Sequence, residues 1–227
     1  MSAEVLLPGA NWRDEVRPEG RTVLYGGGWN PEDFGREQIR SLVRQVFLAN
    51  GRRPLRQVVF AGLDSETDVK SICMRVGVTL ALETPGSVAV VGGHPQLLRE
   101  AEAYGPEMGD GSIPLRQSAT RLRSNLWLVS AAEKLRSTTG LLHGYMRDVR
   151  REFEYSIVEA PPPGESNEAT DMAQFADGII LVLSAHRTRR VVARKVKQAL
   201  EAAQARVLGT VLSDRVFPIP EGLYRRL

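Results

Sequence analysis

The sequence lacks the features that mark several common protein classes. Its 227 residues include a single cysteine, Cys73, so an internal disulfide is impossible, and its three histidines add too few ligands for an ordinary zinc site. No stretch approaches the roughly 18 consecutive apolar residues of a membrane-spanning helix. Lys and Arg (30) nearly balance Asp and Glu (27), and 42% of the residues are hydrophobic, which excludes a disordered charged tail. Because the first residues also lack the pattern of a signal peptide, we expect a cytoplasmic globular protein.

Short apolar segments alternate with amphipathic segments over most of the chain. Several of the apolar segments lack polar alternation, which is typical of strands covered on both faces; they are 58–61, 88–91, 126–129, 155–158, 179–183 and 207–212. Apolar residues at helical spacing predict helices near 35–49, 69–83, 132–152, 168–176 and 188–204. Alternating strands and helices predict an α/β fold, with a mostly parallel sheet and helices on both of its faces.

Glycine and proline indicate how the chain is divided. Residues 1–34 contain three prolines and three consecutive glycines without sustained periodicity, which predicts an N-terminal arm or linker. Residues 35–227 are then one domain. Within it, residues 99–125 contain five glycines and prolines, and we expect a long loop or an insertion there.

The segment after the first predicted strand ends in a pair of residues that suggests a phosphate site. Residues 62–71 read GLDSETDVKS, with Lys70 and Ser71 directly before a helix. In a phosphate-binding loop the Lys contacts phosphate and the hydroxyl binds magnesium. The loop pattern is not met, because Gly62 lies two residues too early and Val69 replaces the glycine before the lysine. The alternative is that Lys70 and Ser71 simply open a helix capped by Asp68 or Thr67.

Six segments, taken in order, resemble the cytoplasmic domain of the bacterial tyrosine kinases (BY-kinases) of capsular and exopolysaccharide synthesis. These kinases belong to the MinD/ParA-like deviant Walker class of P-loop proteins. The segments are EQIRSL at 37–42, VAVVGGHP at 88–95, NLWLV at 125–129, FEYSIVEAPP at 153–162, ADGIILV at 176–182 and VLGTVL at 207–212. The resemblance covers residues 35–220 and implies a three-layer P-loop NTPase-like fold. It also implies that Glu37 and Arg40, on a helix that makes subunit contacts in relatives, are candidate contact residues.

Residues on which the chemistry of that family depends differ here. Gly92 and His94 stand where relatives carry an Asp-x-Asp pair, and Glu159 replaces the Walker B aspartate. Ser213 occupies a position where relatives often place Asn against adenine. If the site is active, the resemblance makes Lys70 and Glu159 catalytic candidates, with Ser71 and Glu159 binding magnesium.

Charge in the loop also argues against nucleotide binding. Asp64, Glu66 and Asp68 precede Lys70, and a carboxylate about 5 Å from phosphate is repelled by roughly 3 kcal/mol at an effective dielectric near 20. If solvent halves that value and two of the three carboxylates face inward, the penalty is still about 3 kcal/mol, a factor on the order of 100 in affinity. We therefore expect no strong ATP or magnesium binding. A calcium loop is an alternative use of these acids, but Val69 and Arg75 replace its glycine and final glutamate.

Two further features suggest contacts with other molecules. Six basic residues and no acid occur between His186 and Gln198, namely Arg187, Arg189, Arg190, Arg194, Lys195 and Lys197. They form either a solvated helix face or a docking site for an acidic partner or an anionic membrane surface. Nucleic acid is not expected, because no aromatic residues are interleaved for stacking. Near the end of the chain, Tyr224 stands alone where active relatives carry a cluster of phosphorylated tyrosines, which leaves it as a candidate phosphosite.

Three functional hypotheses follow from the residues and the resemblance. The first is a catalytically impaired BY-kinase-like domain, without a cofactor, that acts as a cytoplasmic partner or regulator in exopolysaccharide biosynthesis or export. Its expected partner is a membrane-embedded chain-length regulator or a related active kinase, at the inner face of the membrane, and self-association is left open. The second is a divergent but active ATP-dependent tyrosine autokinase or ATPase. The third is a MinD/ParA-like positioning adaptor that dimerises and uses the basic helix.

Overall fold

An eight-stranded sheet organises the part of the chain that the computed structural model describes, which is residues 4–6, 31–49, 55–92, 115–130 and 139–214. The strands are β1 (Glu4–Leu6), β2 (Gln57–Gly62), β3 (Val88–Gly92), β4 (Thr120–Arg123), β5 (Leu126–Ser130), β6 (Tyr155–Ala160), β7 (Gly178–Ser184) and β8 (Val207–Ser213). Their order across the sheet is β1-β8-β7-β2-β6-β3-β5-β4. The six inner strands are parallel, and β1 and β4 pair antiparallel at the two edges.

Helices cover both faces of this sheet. In the described ranges they are α1 (Pro31–Val46), α2 (Val69–Glu83), α3 (Leu115–Ser118), α4 (Thr139–Glu152), α5 (Glu168–Phe175) and α6 (Arg190–Ala202). One core cluster joins α1 and α2 to the sheet through large buried side chains that include Leu42 and Leu80. A second cluster joins α4 and α5 to the opposite face through Met146 and Met172. The predicted α/β fold with a mostly parallel sheet and three layers is therefore confirmed.

Strand β2 shows why the central segments lack polar residues. Val58 and Phe60 belong to one core cluster, whereas Val59 and Ala61 belong to the other. Successive side chains of a strand point to opposite faces, so a strand between two helical layers needs apolar residues at every position. All six residues of β2 are buried. The prediction of strands covered on both faces is confirmed here.

Two predicted segments differ from the structure. For residues 99–125 the sequence predicts a long loop or an insertion, and the loop alternative is wrong for the final part, because residues 115–118 form α3 and residues 120–123 form β4, which pairs with β5. All four residues of β4 are exposed, so no buried face appears in its sequence. The first helix begins at Pro31 instead of residue 35, since proline is well suited to the first position of a helix.

Other sequence predictions fall outside the described residues. Most of the predicted N-terminal arm lies outside them, although residues 4–6 form the edge strand β1 beside β8. His94 and Tyr224 also lie outside them, so their predicted roles stay predictions. Among the helices in the described ranges, none has the length and hydropathy needed to cross a bilayer.

Asp177 anchors the end of the sheet opposite the strand ends at which a site is predicted. Its Oδ2 accepts the backbone N–H of Arg56 at 2.6 Å and that of Gln57 at 2.9 Å, and its Oδ1 accepts from Arg150 at 2.8 Å. Partial burial alone would raise the pKa of Asp177. The N–H groups of Gln57 and Arg56 and the Arg150 guanidinium outweigh that effect, and together they hold the pKa below the ordinary value of 3.8.

We expect this anchor to make stability depend on pH in acid. Because folding lowers the pKa of Asp177, its contribution is complete above the ordinary value of 3.8 and is lost as the pH falls through the folded value. Asp177→Asn should lower the free energy of unfolding by about 1–2 kcal/mol at pH 7, since one acceptor and the charge are lost. Urea unfolding between pH 7 and pH 2.5 should show the difference from wild type shrinking below pH 4. Asp148→Asn, at an exposed pair with Arg151, is the matched control, and parallel curves for wild type and Asp177→Asn would contradict the assignment.

Candidate functional site

The loop between β2 and α2 uses its own donors to hold its shape. The Thr67 hydroxyl donates to Asp64 Oδ1 at 2.8 Å, and the Thr67 N–H donates to the Asp64 carbonyl at 3.3 Å. The Val69 N–H donates to the Thr67 carbonyl at 2.8 Å. A phosphate loop works by pointing successive backbone N–H groups at the anion. Here two of those N–H groups, at Thr67 and Val69, are engaged within the loop.

A carboxylate also occupies the start of helix α2. Asp68 is the N-cap residue, and its Oδ1 accepts the backbone N–H of Ser71 at 3.0 Å. The N-terminus of a helix attracts anions through its free N–H groups and its dipole, and this carboxylate takes that place. The prediction that Asp68 caps a helix opened by Lys70 and Ser71 is confirmed. A phosphate-binding role for Lys70 and Ser71 stays a prediction.

The loop packs closely against the end of β2, so there is little room for a side chain at position 62. A Cβ atom on Gly62 would lie 3.0 Å from the Asp64 carbonyl oxygen and 3.0 Å from the Thr67 Cβ. Val69, which replaces the glycine of the phosphate-loop pattern, is 7% exposed and belongs to the core. Its side chain therefore anchors the loop to the core at the position where relatives leave space.

Glu159 and Gly92 meet at the ends of neighbouring strands. Strand β6 lies between β2 and β3, with Phe60 beside Glu159 on one side and Val91 beside Val158 on the other. A Cβ atom added to Gly92 would collide with Glu159 Oε2 and would lie 3.0 Å from the Glu159 Cβ. The two departures from the family pattern are therefore spatially complementary, because the missing side chain at 92 makes room for the longer acid at 159. The sequence offers no sign of this contact.

A pocket of about 230 Å³ lies between this loop and the end of β6. It is lined by Gly62, Asp64, Ser65, Thr67, Val69, Glu159, Ala160, Pro161 and Pro162. Small-molecule sites usually measure roughly 300–1,000 Å³, so the pocket is small for a nucleoside triphosphate. Its charged lining residues are Asp64 and Glu159, both acidic, whereas Lys70 and Ser71 are not among the described residues that line it.

Nearby carboxylates affect the thiol of Cys73, which is buried on α2. Burial raises the pKa of its thiol well above the ordinary value, and the carboxylates of Glu159 and Asp68 raise it further. Both carboxylates therefore act on the first turns of α2.

Arg187 connects the loop to the end of β7. Its guanidinium donates to Glu66 Oε2 at 2.6 Å, to the Glu66 carbonyl at 3.3 Å and to the Ser184 hydroxyl at 3.0 Å. The ion pair is exposed, so we expect it to add little stability. It does supply a cation to Glu66, whereas of the three loop acids Asp64 lines the pocket and Asp68 caps α2. Arg187, one of the predicted docking residues, thus has an acidic partner within the chain.

The end of β8 carries a small hydroxyl network at the position predicted to face adenine. The Ser213 hydroxyl donates to the Leu183 carbonyl at 3.2 Å and lies 3.3 Å from Asp214 Oδ2. The Ser184 hydroxyl donates to the same carboxylate oxygen at 2.9 Å. Asp214 has a positive φ of 57°, which turns the chain sharply after the strand. Asp214 thus adds a further carboxylate at the carboxyl ends of the parallel strands, where Asp64 and Glu159 line the pocket.

The acids of the loop do not converge as a calcium site requires. Asp64 accepts from Thr67, Glu66 pairs with Arg187 and Asp68 caps α2. Across the described ranges, no group of three or more His, Cys, Asp and Glu side chains is placed to hold a metal ion. The structure therefore gives each of the three acids a separate role.

The candidate contact residues of α1 make pairs within the chain. Arg40 pairs with Glu83 at 3.1 Å and with Glu37 at 3.3 Å, and Arg44 pairs with Glu83 at 3.2 Å. Glu83 ends α2, so these pairs hold α1 against its neighbour. Their predicted role in subunit contacts stays a prediction.

The sheet order, the loop and helix that follow β2 and the acid at the end of β6 fit an α/β protein of the P-loop NTPase fold. Solved structures agree with this class. The chain is similar to the kinase domain of VpsO, with 17% identity, a TM-score of 0.66 and coverage of 82% of this chain and 98% of that one. It is also similar to the kinase domain of the Escherichia coli tyrosine kinase ETK, with 13% identity, a TM-score of 0.61 and coverage of 96% of this chain and 92% of that one. The MinD cell division protein of Aquifex aeolicus is similar as well, with 14% identity, a TM-score of 0.56 and coverage of 75% of this chain and 72% of that one.

Sequence comparison finds a likeness over a shorter part of the chain. No protein-family model matches the chain. It is 34% identical to the tyrosine-protein kinase CpsD of Streptococcus agalactiae serotype III over 65 residues, which are 29% of this chain and 28% of that kinase. The match therefore spans less than a third of the length of the curated relative. It confirms the resemblance inferred from the sequence: the chain is similar to a BY-kinase over this segment, and the solved kinase domains share its fold.

Proposed function

We propose that the protein is a catalytically impaired BY-kinase-like domain that acts as a cytoplasmic partner or regulator in exopolysaccharide biosynthesis or export. The observation that carries the proposal is the Asp68 carboxylate at the N-terminus of α2, where it accepts the Ser71 N–H in place of a phosphate. Phosphoryl transfer depends on positioning and on neutralising the charge of the phosphates. In this site the fixed charges that line the pocket have the same sign as the substrate.

ATP binding would require several of the described contacts to change together. Asp68 would have to release Ser71, and the loop would have to give up its bonds between Thr67 and Asp64. Glu159 would remain the residue placed to hold magnesium, at the strand end beside β2. Lys70 is the single cation of the described loop that could offset the negative charge of its acids. The need for these changes supports a role in which the protein keeps the fold to bind a partner and does not catalyse phosphoryl transfer.

The proposed partner is a membrane-embedded polysaccharide chain-length regulator or a related active kinase. A P-loop fold that does not hydrolyse ATP does not change shape in a nucleotide-driven cycle. It therefore presents a constant surface to a partner. The α1 face, with Glu37 and Arg40 exposed beside Glu83, is one candidate contact surface. We place the protein in the cytoplasm at the inner face of the membrane, because such a regulator is anchored there.

Genetic complementation tests this role. Deletion of the gene from its source organism should reduce secreted exopolysaccharide, and a plasmid copy should restore it. We expect the double variant Lys70→Ala, Glu159→Gln to restore polymer to within about twofold of wild type, since neither side chain serves catalysis. Immunoblotting should first show equal protein levels for the two plasmids. Unchanged polymer after deletion would contradict the pathway, and loss of polymer with the double variant would favour an active kinase.

A further inference from the structure

Helix α6 presents a cationic outer face. Its inward residues follow helical spacing, with Leu200 buried and Ala193 and Val196 partly buried against the core. The opposite face, spaced at i, i+3, i+4 and i+7, consists of the exposed residues Val191, Arg194, Lys195 and Gln198. Only Leu200 of this 13-residue helix is fully buried. The helix therefore stands out from the body of the domain and exposes a convex surface.

The cations of this surface are not used to hold the domain together. Arg189, Arg194 and Lys195 make no ion pair with any residue in the described ranges. Lys197 reaches Glu201 at 3.6 Å, and Glu201 is the single acid of the helix. Elsewhere on the surface, arginines such as Arg36 and Arg40 have acidic partners. Three positive charges are thus available to an external anion.

The position of the cations along the helix is also unfavourable for the isolated domain. Arg189 is the N-cap residue and makes no side-chain cap bond, and Arg190 follows it. The first turn has no acid. Because the N-terminal end of a helix dipole is positive, cations there are destabilising and anions are stabilising. An anionic surface beside this end would relieve that repulsion.

Aliphatic side chains are exposed at the same end of the helix. Val191 is 66% exposed and Val192 is 43% exposed, which makes them two of the large hydrophobic residues most open to solvent among those described. Val191 lies one turn from Arg194 and Lys195 on the outer face. Cations and aliphatic groups on one convex face match a lipid boundary, where headgroup phosphates lie beside the first carbons of the acyl chains.

We propose that α6 docks the protein on an anionic lipid surface, with Arg189, Arg194 and Lys195 at the headgroups and Val191 at the apolar boundary. The outer face of the helix presents Val191, Arg194 and Lys195 together to a flat anionic surface, and Arg189 adds an exposed cation at the N-terminal end of the helix. Each basic residue near such a surface contributes about 1 kcal/mol. The inference rests on the proposed location at the membrane, but it concerns lipid alone and not the protein partner.

Vesicle sedimentation with the full chain tests the proposal. Vesicles of phosphatidylglycerol and phosphatidylcholine, compared with phosphatidylcholine alone, should bind the protein, and binding should fall as salt is raised, because salt screens the charges. Arg189→Glu, Arg194→Glu, Lys195→Glu together should lower the partition coefficient by about 100-fold or more. The matched control changes three exposed arginines on other elements, Arg36, Arg123 and Arg147, to Glu. It alters net charge equally and should stay within about threefold of wild type.

A second variant separates lipid contact from simple charge attraction. Val191→Ser keeps every cation and should weaken binding to the anionic vesicles severalfold, with circular dichroism confirming the fold of all variants. Equal binding by the α6 variant and the control, or equal binding of wild type to both kinds of vesicle, would overturn the proposal. So would wild-type binding to an acidic protein partner through α6 in the absence of any lipid binding. Complementation that succeeds while vesicle binding fails would overturn the lipid contact and leave the proposed function standing.

Discussion

Calorimetric titration of the purified protein with ATP and magnesium is expected to show no saturable binding up to about 1 mM, which corresponds to about −4 kcal/mol. The reason is local to the site. The Asp68 carboxylate holds the Ser71 N–H, the loop N–H groups of Thr67 and Val69 are engaged, and the acids Asp64 and Glu159 line the pocket. An incoming triphosphate therefore meets negative charge and few free donors.

Two variants make this expectation specific. Lys70→Ala should give the same flat titration as wild type, because there is no nucleotide contact to lose. Neutralising the acids that line the pocket with Asp64→Asn, Glu159→Gln should bring any residual binding closer to the measurable range, since the repulsion between carboxylate and phosphate is removed. A dissociation constant for wild type below about 10 μM, abolished by Lys70→Ala, would contradict the impaired site and favour the active-kinase hypothesis.

Gly92→Ala is expected to lower the free energy of unfolding by about 1–3 kcal/mol, a typical penalty for overpacking a filled site. The added methyl group would collide with Glu159 Oε2 and lie 3.0 Å from the Glu159 Cβ and 3.3 Å from its Cδ. The carboxylate end can turn aside, but the Cβ atoms of two neighbouring strands cannot separate without bending β3 or β6. Urea unfolding followed by circular dichroism measures the change.

A double-mutant cycle identifies the cause. In Gly92→Ala, Glu159→Ala the carboxyl group is gone, so most of the loss should be recovered, with a coupling energy of about 1 kcal/mol or more. Gly144→Ala is the control, because a Cβ atom there meets nothing within 4 Å and alanine is the better helix former in α4. Additive effects of the changes at 92 and 159 would show that the two residues do not share a contact.

The central sheet was predictable because its strands are mostly apolar, which is typical of strands that are covered on both faces. The segments around Val59 and Ile180 are apolar throughout, and both residues are buried in the structure. Edge elements carry no such signal. Strand β4 exposes all its side chains, and β1 consists of the three residues Glu4–Leu6, so backbone pairing alone defines them.

The site was predictable only where its contacts are local in the chain. The Asp68 cap depends on residues three apart, a spacing that sequence patterns record. The Glu66–Arg187 pair joins residues 121 positions apart, and the Gly92–Glu159 contact depends on the register between β3 and β6. The local pattern of apolar and polar residues reveals neither which distant residues pair nor the register between two strands. The loop charge could be counted from the sequence, but its neutralising arginine could not be identified.

The contact between Gly92 and Glu159 also constrains how this site can change by substitution. An acidic side chain at position 92 does not fit while Glu159 keeps its present place. Rebuilding the acidic pair of the kinases therefore requires Glu159 to shorten or to turn away first. A side chain at position 92 therefore depends on what happens at position 159, either a shorter residue or another conformation of Glu159, so the two positions are constrained to vary together.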